Sequence, residues 1–144
     1  MAEFKVKYRT RNKLQRAIQQ EIQKLGLVDT RAMKDSIRVS ATTGDLNRIT
    51  VTVNALYYYF FQDNGTRFLA PQGITEKALR SPKGEQFISE TLEAYMQYLF
   101  EEYPILDVAN LKINPQLVVE YQLFGDPDGK WNGTFEETFN FRIQ

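Results

Sequence analysis

The stretch RITVTVNALYYYFFQDNG, residues 48–65, decides the fold because it passes from a strand pattern into a helix pattern. From Ile49 to Val53 every second residue is apolar, which is typical of a strand with one buried face. Five aromatic residues then follow in succession from Tyr57 to Phe61. Residues 68–76 do not alternate as a returning strand would, so we predict a short helix that ends at Gly65.

The length of the aromatic run and the charges beside it argue against two functions for it. The longest apolar segment, residues 55–61, is far shorter than the roughly 20 residues that a membrane-spanning helix needs. A platform that stacks nucleic-acid bases needs neighbouring cations, and the sequence has no Lys or Arg between Arg48 and Arg67. A packed core segment and a protein contact surface remain.

The predicted helix divides its aromatic residues between these two surroundings. We expect Tyr58 and Phe61 to point into the core, against two long helices. We expect Tyr57 and Phe60 to lie at the boundary with a neighbouring copy of the chain. Gly65 then ends the turn, and the next residues begin a loop directed outward.

Two helices are predicted upstream of this stretch. From Arg11 to Leu25 apolar residues recur every three or four positions, which indicates an amphipathic helix that Gly26 ends. A second, short helix is predicted within residues 28–37, where Asp29 or Thr30 is a suitable N-cap. Between these helices and the central stretch, residues 37–43 alternate and are predicted to form a β-hairpin with residues 48–54.

Downstream, the sequence predicts a loop, a helix and a second hairpin. Residues 67–84 contain two prolines and two glycines and are predicted to form a long loop, with one turn of helix at 75–80. Residues 85–103 carry a helical stripe, and Ser81-Pro82 is a suitable cap and first-turn pair for it. Residues 115–125 and 134–143 favour strands and are predicted to form the C-terminal hairpin.

These elements predict an α+β fold, in which a small antiparallel sheet packs against two long amphipathic helices and carries a C-terminal β-hairpin. We divide the chain into residues 1–104, an α+β domain with a basic N-terminal arm, and residues 105–144, the hairpin extension. A chain of 144 residues is long enough to bury a core without disulfides.

Composition argues against an enzyme and against a metal or cofactor site. The sequence contains no histidine and no cysteine, which removes the commonest general base and the usual zinc ligands. With Gly129 as the sixth residue of a calcium loop, the first and twelfth positions are Phe124 and Phe135, so the loop pattern fails. No signal peptide is predicted, and we expect no membrane association and no cofactor.

Charge is unevenly distributed along the chain, although its total is zero. Residues 1–50 contain eleven basic and five acidic residues, a net charge of +6, and residues 51–144 contain seven and thirteen, a net charge of −6. A basic start is able to contact nucleic acid or the acidic half of a neighbouring copy, and the charges can also cancel within one monomer. Basic and apolar residues alternate up to Arg9, which predicts an extended arm.

The order of three short motifs resembles that of the tail-completion, or head-tail joining and minor tail, proteins of tailed bacteriophages. Before the first hairpin, Thr30, Met33, Ser36 and Ile37 fit the family's first motif, while Arg31 stands where glycine is usual.

After that hairpin, Tyr58, Asp63, Gly65 and Thr66 fit the second motif of the family, with Asp63 in place of glutamate and Tyr59 in place of a small residue. The third motif opens the last helix and is matched only in part. The resemblance covers roughly residues 10–103 and leaves the C-terminal hairpin outside.

The resemblance implies a structural virion protein and not an enzyme. Copies would form a ring of six subunits, or of twelve nearer the portal, which joins head to tail around the DNA channel. The partners would be other neck, portal and tail proteins, and genomic DNA would pass close by. The protein would be found in the virion and, during assembly, in the host cytoplasm. A nucleic-acid-binding module and a small host-directed interaction protein are the alternatives.

Candidate contact residues come from the basic arm, the aromatic run and the loop. For the subunit interface they are Phe4, Val6, Tyr8, Tyr57, Phe60, Arg67, Phe68, Leu69, Pro71 and Ile74. For a DNA-facing surface they are Lys5, Lys7, Arg9 and Arg11.

Overall fold

The computed structural model describes residues 4, 6–26, 30–44, 48–65, 70–102 and 116–139. These residues form five helices and four strands. The elements are α1 (Tyr8–Leu25), α2 (Thr30–Ser36), β1 (Arg38–Gly44), β2 (Arg48–Leu56), α3 (Tyr58–Asn64), α4 (Ile74–Arg80), α5 (Pro82–Glu102), β3 (Gln116–Phe124) and β4 (Gly133–Phe139). The predicted α+β class, with its long helices and C-terminal hairpin, is confirmed.

Helix α1 forms because its apolar residues share one face. Leu14, Ala17, Ile18 and Ile22 are fully buried, and Gly26 ends the helix with a left-handed φ of 62°. The helix begins at Tyr8, so the predicted extended arm is wrong at its C-terminal end. Tyr8 and Arg9 are helical although the residues up to Arg9 alternate, because the first turn of α1 extends the helical stripe toward the N-terminus.

The four strands form one mixed sheet in the order β1-β2-β3-β4. Strands β1 and β2 are antiparallel, as are β3 and β4, but β2 and β3 are parallel. Both predicted antiparallel hairpins are present, and the parallel pair that joins them into one sheet was not predicted. Parallel neighbours need a crossover connection, and here α3, α4 and α5 all lie in the connection between β2 and β3.

One face of the sheet is buried under the helices. Strand β2 alternates between buried and half-buried residues along its whole length, and Ile49, Val51, Val53 and Ala55 point into the core. On β3, Leu117, Val119, Tyr121 and Leu123 point the same way. Since residues of both hairpins join one core cluster with α1, α2, α4 and α5, the C-terminal hairpin is an integral part of the sheet.

Residues 74–80 form a complete helix, so the predicted long loop at 67–84 is shorter than expected. Three apolar side chains of α4 recur at helical spacing and are buried: Ile74, Ala78 and Leu79. The prediction of a cap at Ser81-Pro82 is confirmed, because Ser81 Oγ accepts a hydrogen bond from Gly84 N at 3.1 Å and Pro82 opens α5.

Candidate functional site

Helix α3 buries a different aromatic residue from the two that the sequence predicted. Tyr59 has no exposed surface, whereas Tyr58 and Phe61 are only half-buried. The physical reason lies in the Tyr59 hydroxyl, which makes a 2.6 Å hydrogen bond with Thr75 Oγ1 deep in the core. A buried tyrosine needs such a partner, and Tyr59 finds one on α4.

Asp63, near the end of α3, is buried because it binds the N-terminus of α4. Its Oδ1 accepts a hydrogen bond from Thr75 N at 2.9 Å, and its Oδ2 accepts one from Thr75 Oγ1 at 3.0 Å. Gly73, the N-cap residue of α4, has no side chain to do this. A carboxylate is favourable there because free backbone N–H groups and the helix dipole both attract negative charge.

A hydrogen bond from Tyr121 on β3 connects the Asp63 carboxylate to the C-terminal hairpin. The Tyr121 hydroxyl lies 3.1 Å from Asp63 Oδ2, 2.8 Å from Thr75 Oγ1 and 2.8 Å from Glu137 Oε2 on β4. The polar network formed by Tyr59, Asp63, Thr75, Tyr121 and Glu137 therefore joins two helices to two strands beside the apolar core cluster.

Three groups of the polar network have raised pKa values. Burial, followed by the charge of Asp63, raises the pKa of Glu137 from 4.5 to about 7. Burial also raises the pKa of Tyr59 and Tyr121 well above 10, so both remain neutral donors at all physiological pH values.

Aromatic contacts between α3 and the C-terminal hairpin lie beside the polar network. The Phe60 and Phe135 rings are 5.0 Å apart between centroids, and Phe61 meets Trp131 edge-on at 4.9 Å. We call these four residues the aromatic seam. Trp131 remains 38% exposed and Phe124, at the end of β3, 46% exposed, so part of this end of the sheet is apolar surface.

Charge changes sign across the width of the sheet. Strands β1 and β2 contain two basic residues, Arg38 and Arg48, and no acidic residue. Strands β3 and β4 contain three acidic residues, Glu120, Glu136 and Glu137, and no basic residue. Because the strand order follows the chain order, the basic strands lie at one edge and the acidic strands at the other.

Several predicted interface residues have partners within their own chain. Phe4 packs edge-on against Tyr95 and Tyr98 of α5, with ring centroids 5.8 and 5.9 Å apart. Tyr57 and Phe60 are half-buried against the core. Ile74 is 1% exposed, so it belongs to the core and not to a surface, because it begins the amphipathic helix α4.

The other predicted residues are exposed or lie outside the described part. Tyr8 is 70% exposed, and the Arg11 guanidinium lies 5.7 Å from the centre of its ring. Pro71, Lys7 and Arg9 are exposed and Val6 is half-buried. Lys5, Arg67, Phe68 and Leu69 lie outside the described residues. The structure thus brings together the two halves of the aromatic seam, and no described residue of the arm or the loop belongs to it.

Sequence reasoning missed Thr75, Tyr121 and Glu137. One signal was present for Glu137: it stands between Phe135 and Phe139 at the alternate position of a strand, so an acid shares their inward face. An ionisable residue on a buried face needs a partner, and that pattern predicts a buried polar contact. No comparable signal marks Thr75 or Tyr121.

The described residues hold no group of three or more His, Cys, Asp or Glu side chains able to bind a metal ion. Within the same residues, no helix is long and apolar enough to cross a membrane. Comparison of the chain with protein families, with curated proteins and with solved structures gives no match.

Proposed function

We propose that this protein is a structural ring subunit of the neck or tail of a tailed bacteriophage virion, where copies join head to tail around the DNA channel. The order of the three sequence motifs supports this role. Two motif residues also have structural roles: Asp63 binds the N-terminus of α4, and Gly65 ends α3 with a φ of 78°.

The observation that carries the proposal is the change of charge across the sheet. A ring built from identical copies requires two different, complementary surfaces on each subunit. The exposed Arg38 on edge strand β1 and the exposed Glu136 on edge strand β4, which also pairs with Arg48 of its own chain, place one opposite charge at each edge, and opposite charges attract when one copy follows the next.

The ring is tested by the mass of the assembled protein at different salt concentrations. We expect oligomers of six or twelve copies at low salt and smaller species at high salt, because exposed charges are screened. Arg38→Glu, at the basic edge, should reduce assembly. Lys77→Glu is the matched control, because it makes the same charge change at an exposed position of α4, away from both edges.

Virion composition tests the biological part of the proposal. The chain should be detected in purified virions at a stoichiometry consistent with one ring. Virions that lack the chain entirely would show that the proposed role is wrong, whatever the oligomeric state of the isolated protein.

A nucleic-acid-binding function is the second candidate, and one observation favours it. Lys7 and Arg9 are exposed on either side of the exposed Tyr8, so two cations and an aromatic ring face solvent together at the start of α1. Under this alternative the monomer binds DNA with an affinity that falls steeply with salt, and Lys7→Ala with Arg9→Ala weakens it. Ring assembly without DNA binding would decide against it.

A further inference from the structure

The C-terminal hairpin is held to α3 by three successive contacts. Phe61 meets Trp131 and Phe60 meets Phe135, which together form the aromatic seam. Beyond the seam the third contact is polar, and it runs from Glu137 through the Tyr121 hydroxyl to Asp63. Strand β4 pairs along its whole length with one described strand only, β3, and these side-chain contacts join the hairpin to α3 as well.

Glu137 faces groups from each neighbouring element, and only one of them is charged. Helix α3 presents the Asp63 carboxylate, the Asn64 amide and the neutral Tyr59 hydroxyl, and β3 presents the neutral Tyr121 hydroxyl. The network residue from α4, Thr75, is uncharged. Among the described residues, therefore, no cation lies beside the two carboxyl groups to offset their repulsion.

Glu136 precedes Glu137 on β4 and points to the opposite face of the sheet, where its Oε2 lies 3.0 Å from Arg48 Nη2. It is therefore an exposed carboxylate one residue away from Glu137, with a cation as its partner.

Counting protons shows which form of Glu137 suits this geometry. The Tyr121 hydroxyl carries a single proton, yet it lies within hydrogen-bonding distance of three oxygen atoms. If Glu137 is ionised, Tyr121 cannot donate to both carboxylates. If Glu137 is protonated, its own proton serves the hydrogen bond between its carboxyl group and Asp63, so Tyr121 no longer has to supply both carboxyl groups.

We propose that Glu137 is a proton-operated latch: its protonated side chain holds strand β4 against helix α3, and its ionisation loosens the C-terminal hairpin. Ionisation places a second negative charge within reach of Asp63 and removes one of the donors of the polar network. Movement of β4 into solvent relieves the charge repulsion, and water then replaces the lost hydrogen-bond donor. The latch does not depend on the proposed ring, because every contact in it lies within one chain.

The pH range of the latch follows from the two states of Glu137. In the closed form its pKa is raised to about 7, by burial first and by the charge of Asp63 second, and a solvated glutamate has a value near 4.5. The equilibrium constant for opening should therefore rise with pH between these values, by up to about tenfold per pH unit, and level off above pH 7.

Amide hydrogen exchange on the full chain tests this directly. Rates of β4 amides are measured between pH 5 and 8 and divided by the intrinsic rate of each amide at that pH. We expect β4 to lose protection as pH rises to 7, because each opening that exposes β4 then releases the Glu137 proton. Acrylamide quenching of Trp131 should increase over the same range, since it is the single tryptophan of the chain and lies in the seam.

Two matched variants identify the group responsible. Glu137→Gln keeps the shape and supplies a neutral donor, so it should abolish the pH dependence in β4. Glu136→Gln removes the neighbouring exposed carboxylate and should leave the dependence as in the wild type. A wild-type β4 whose corrected exchange does not change between pH 5 and 7 would overturn the latch, as would an unchanged pH dependence in Glu137→Gln.

Discussion

Gly84 lies where α4 and α5 approach each other so closely that no side chain fits. A Cβ atom at this position would lie 1.9 Å from the carbonyl oxygen of Ala78 and 2.6 Å from that of Leu79. Both atoms belong to the backbone of α4, so they cannot move aside as a flexible side chain would. The close spacing of α4 and α5 therefore requires a residue without a Cβ atom at position 84.

We expect Gly84→Ala to destabilise the protein by about 1–3 kcal/mol or more through overpacking. Away from such contacts, alanine in a helix is more stable than glycine by roughly 1 kcal/mol, so the sign of the effect is diagnostic. Urea denaturation measures it. Gln86→Ala, at an exposed position in the same helix, is the control and should stay within about 0.5 kcal/mol of the wild type.

At this scale the sequence identifies which residues are apolar but not which of them touch. The stripe of α1 was predictable because its four buried apolar residues repeat at helical spacing. The division of the aromatic run was not, because Tyr59 is selected by a hydrogen bond to Thr75, sixteen residues later in the chain. Long-range polar partners leave no periodic signal.

At the scale of elements, α3 acts as the connection between the helical layer and the C-terminal hairpin. It contacts α4 through Asp63 and the hairpin through the aromatic seam. Its seven residues are too few for a stable isolated helix, so these contacts are what keep it folded.

A double-mutant cycle on Phe60 and Phe135 measures that connection. Because the rings are 5.0 Å apart, we expect a coupling free energy of about 0.5–1.5 kcal/mol in the Phe60→Ala, Phe135→Ala cycle. Phe4 packs against α5 instead, so the cycle of Phe60→Ala with Phe4→Ala should be additive. Equal coupling in both cycles would mean that the aromatic seam has no specific contribution.

Most elements were predictable from local patterns, but their pairing was not. The alternation of β2 and the cap at Ser81-Pro82 depend on neighbours in the chain. The parallel pairing of β2 with β3 depends on the path of α3, α4 and α5, which no local pattern contains. For the same reason the sequence alone separated the C-terminal hairpin from the fold it completes.

For the whole molecule, Glu137 predicts how stability depends on pH. The folded chain holds the Glu137 proton more tightly than the unfolded chain, since its pKa rises from 4.5 to about 7 on folding. This contribution is fully present below about pH 4.5 and is lost as pH rises through 7.

Chemical denaturation at a series of pH values checks this prediction. The free energy of unfolding of the wild type, minus that of Glu137→Gln, should decrease from pH 4.5 to 7 and then remain constant. The difference between wild type and Glu136→Gln should lack this step. A difference that increases with pH would show that the carboxylate form is the one favoured by folding.

The parallel pair at the centre of the sheet also determines when the chain can fold as it is synthesised. Strand β2 leaves the ribosome early, but its partner β3 follows only after the residues between Leu56 and Gln116 have been made. Until then the alternating apolar strand β2 has an unpaired edge, the kind of surface on which nascent chains aggregate. A chain truncated after residue 104 keeps the β2 edge unpaired permanently. In the full chain, β3 covers that edge and so prevents other chains from pairing with it.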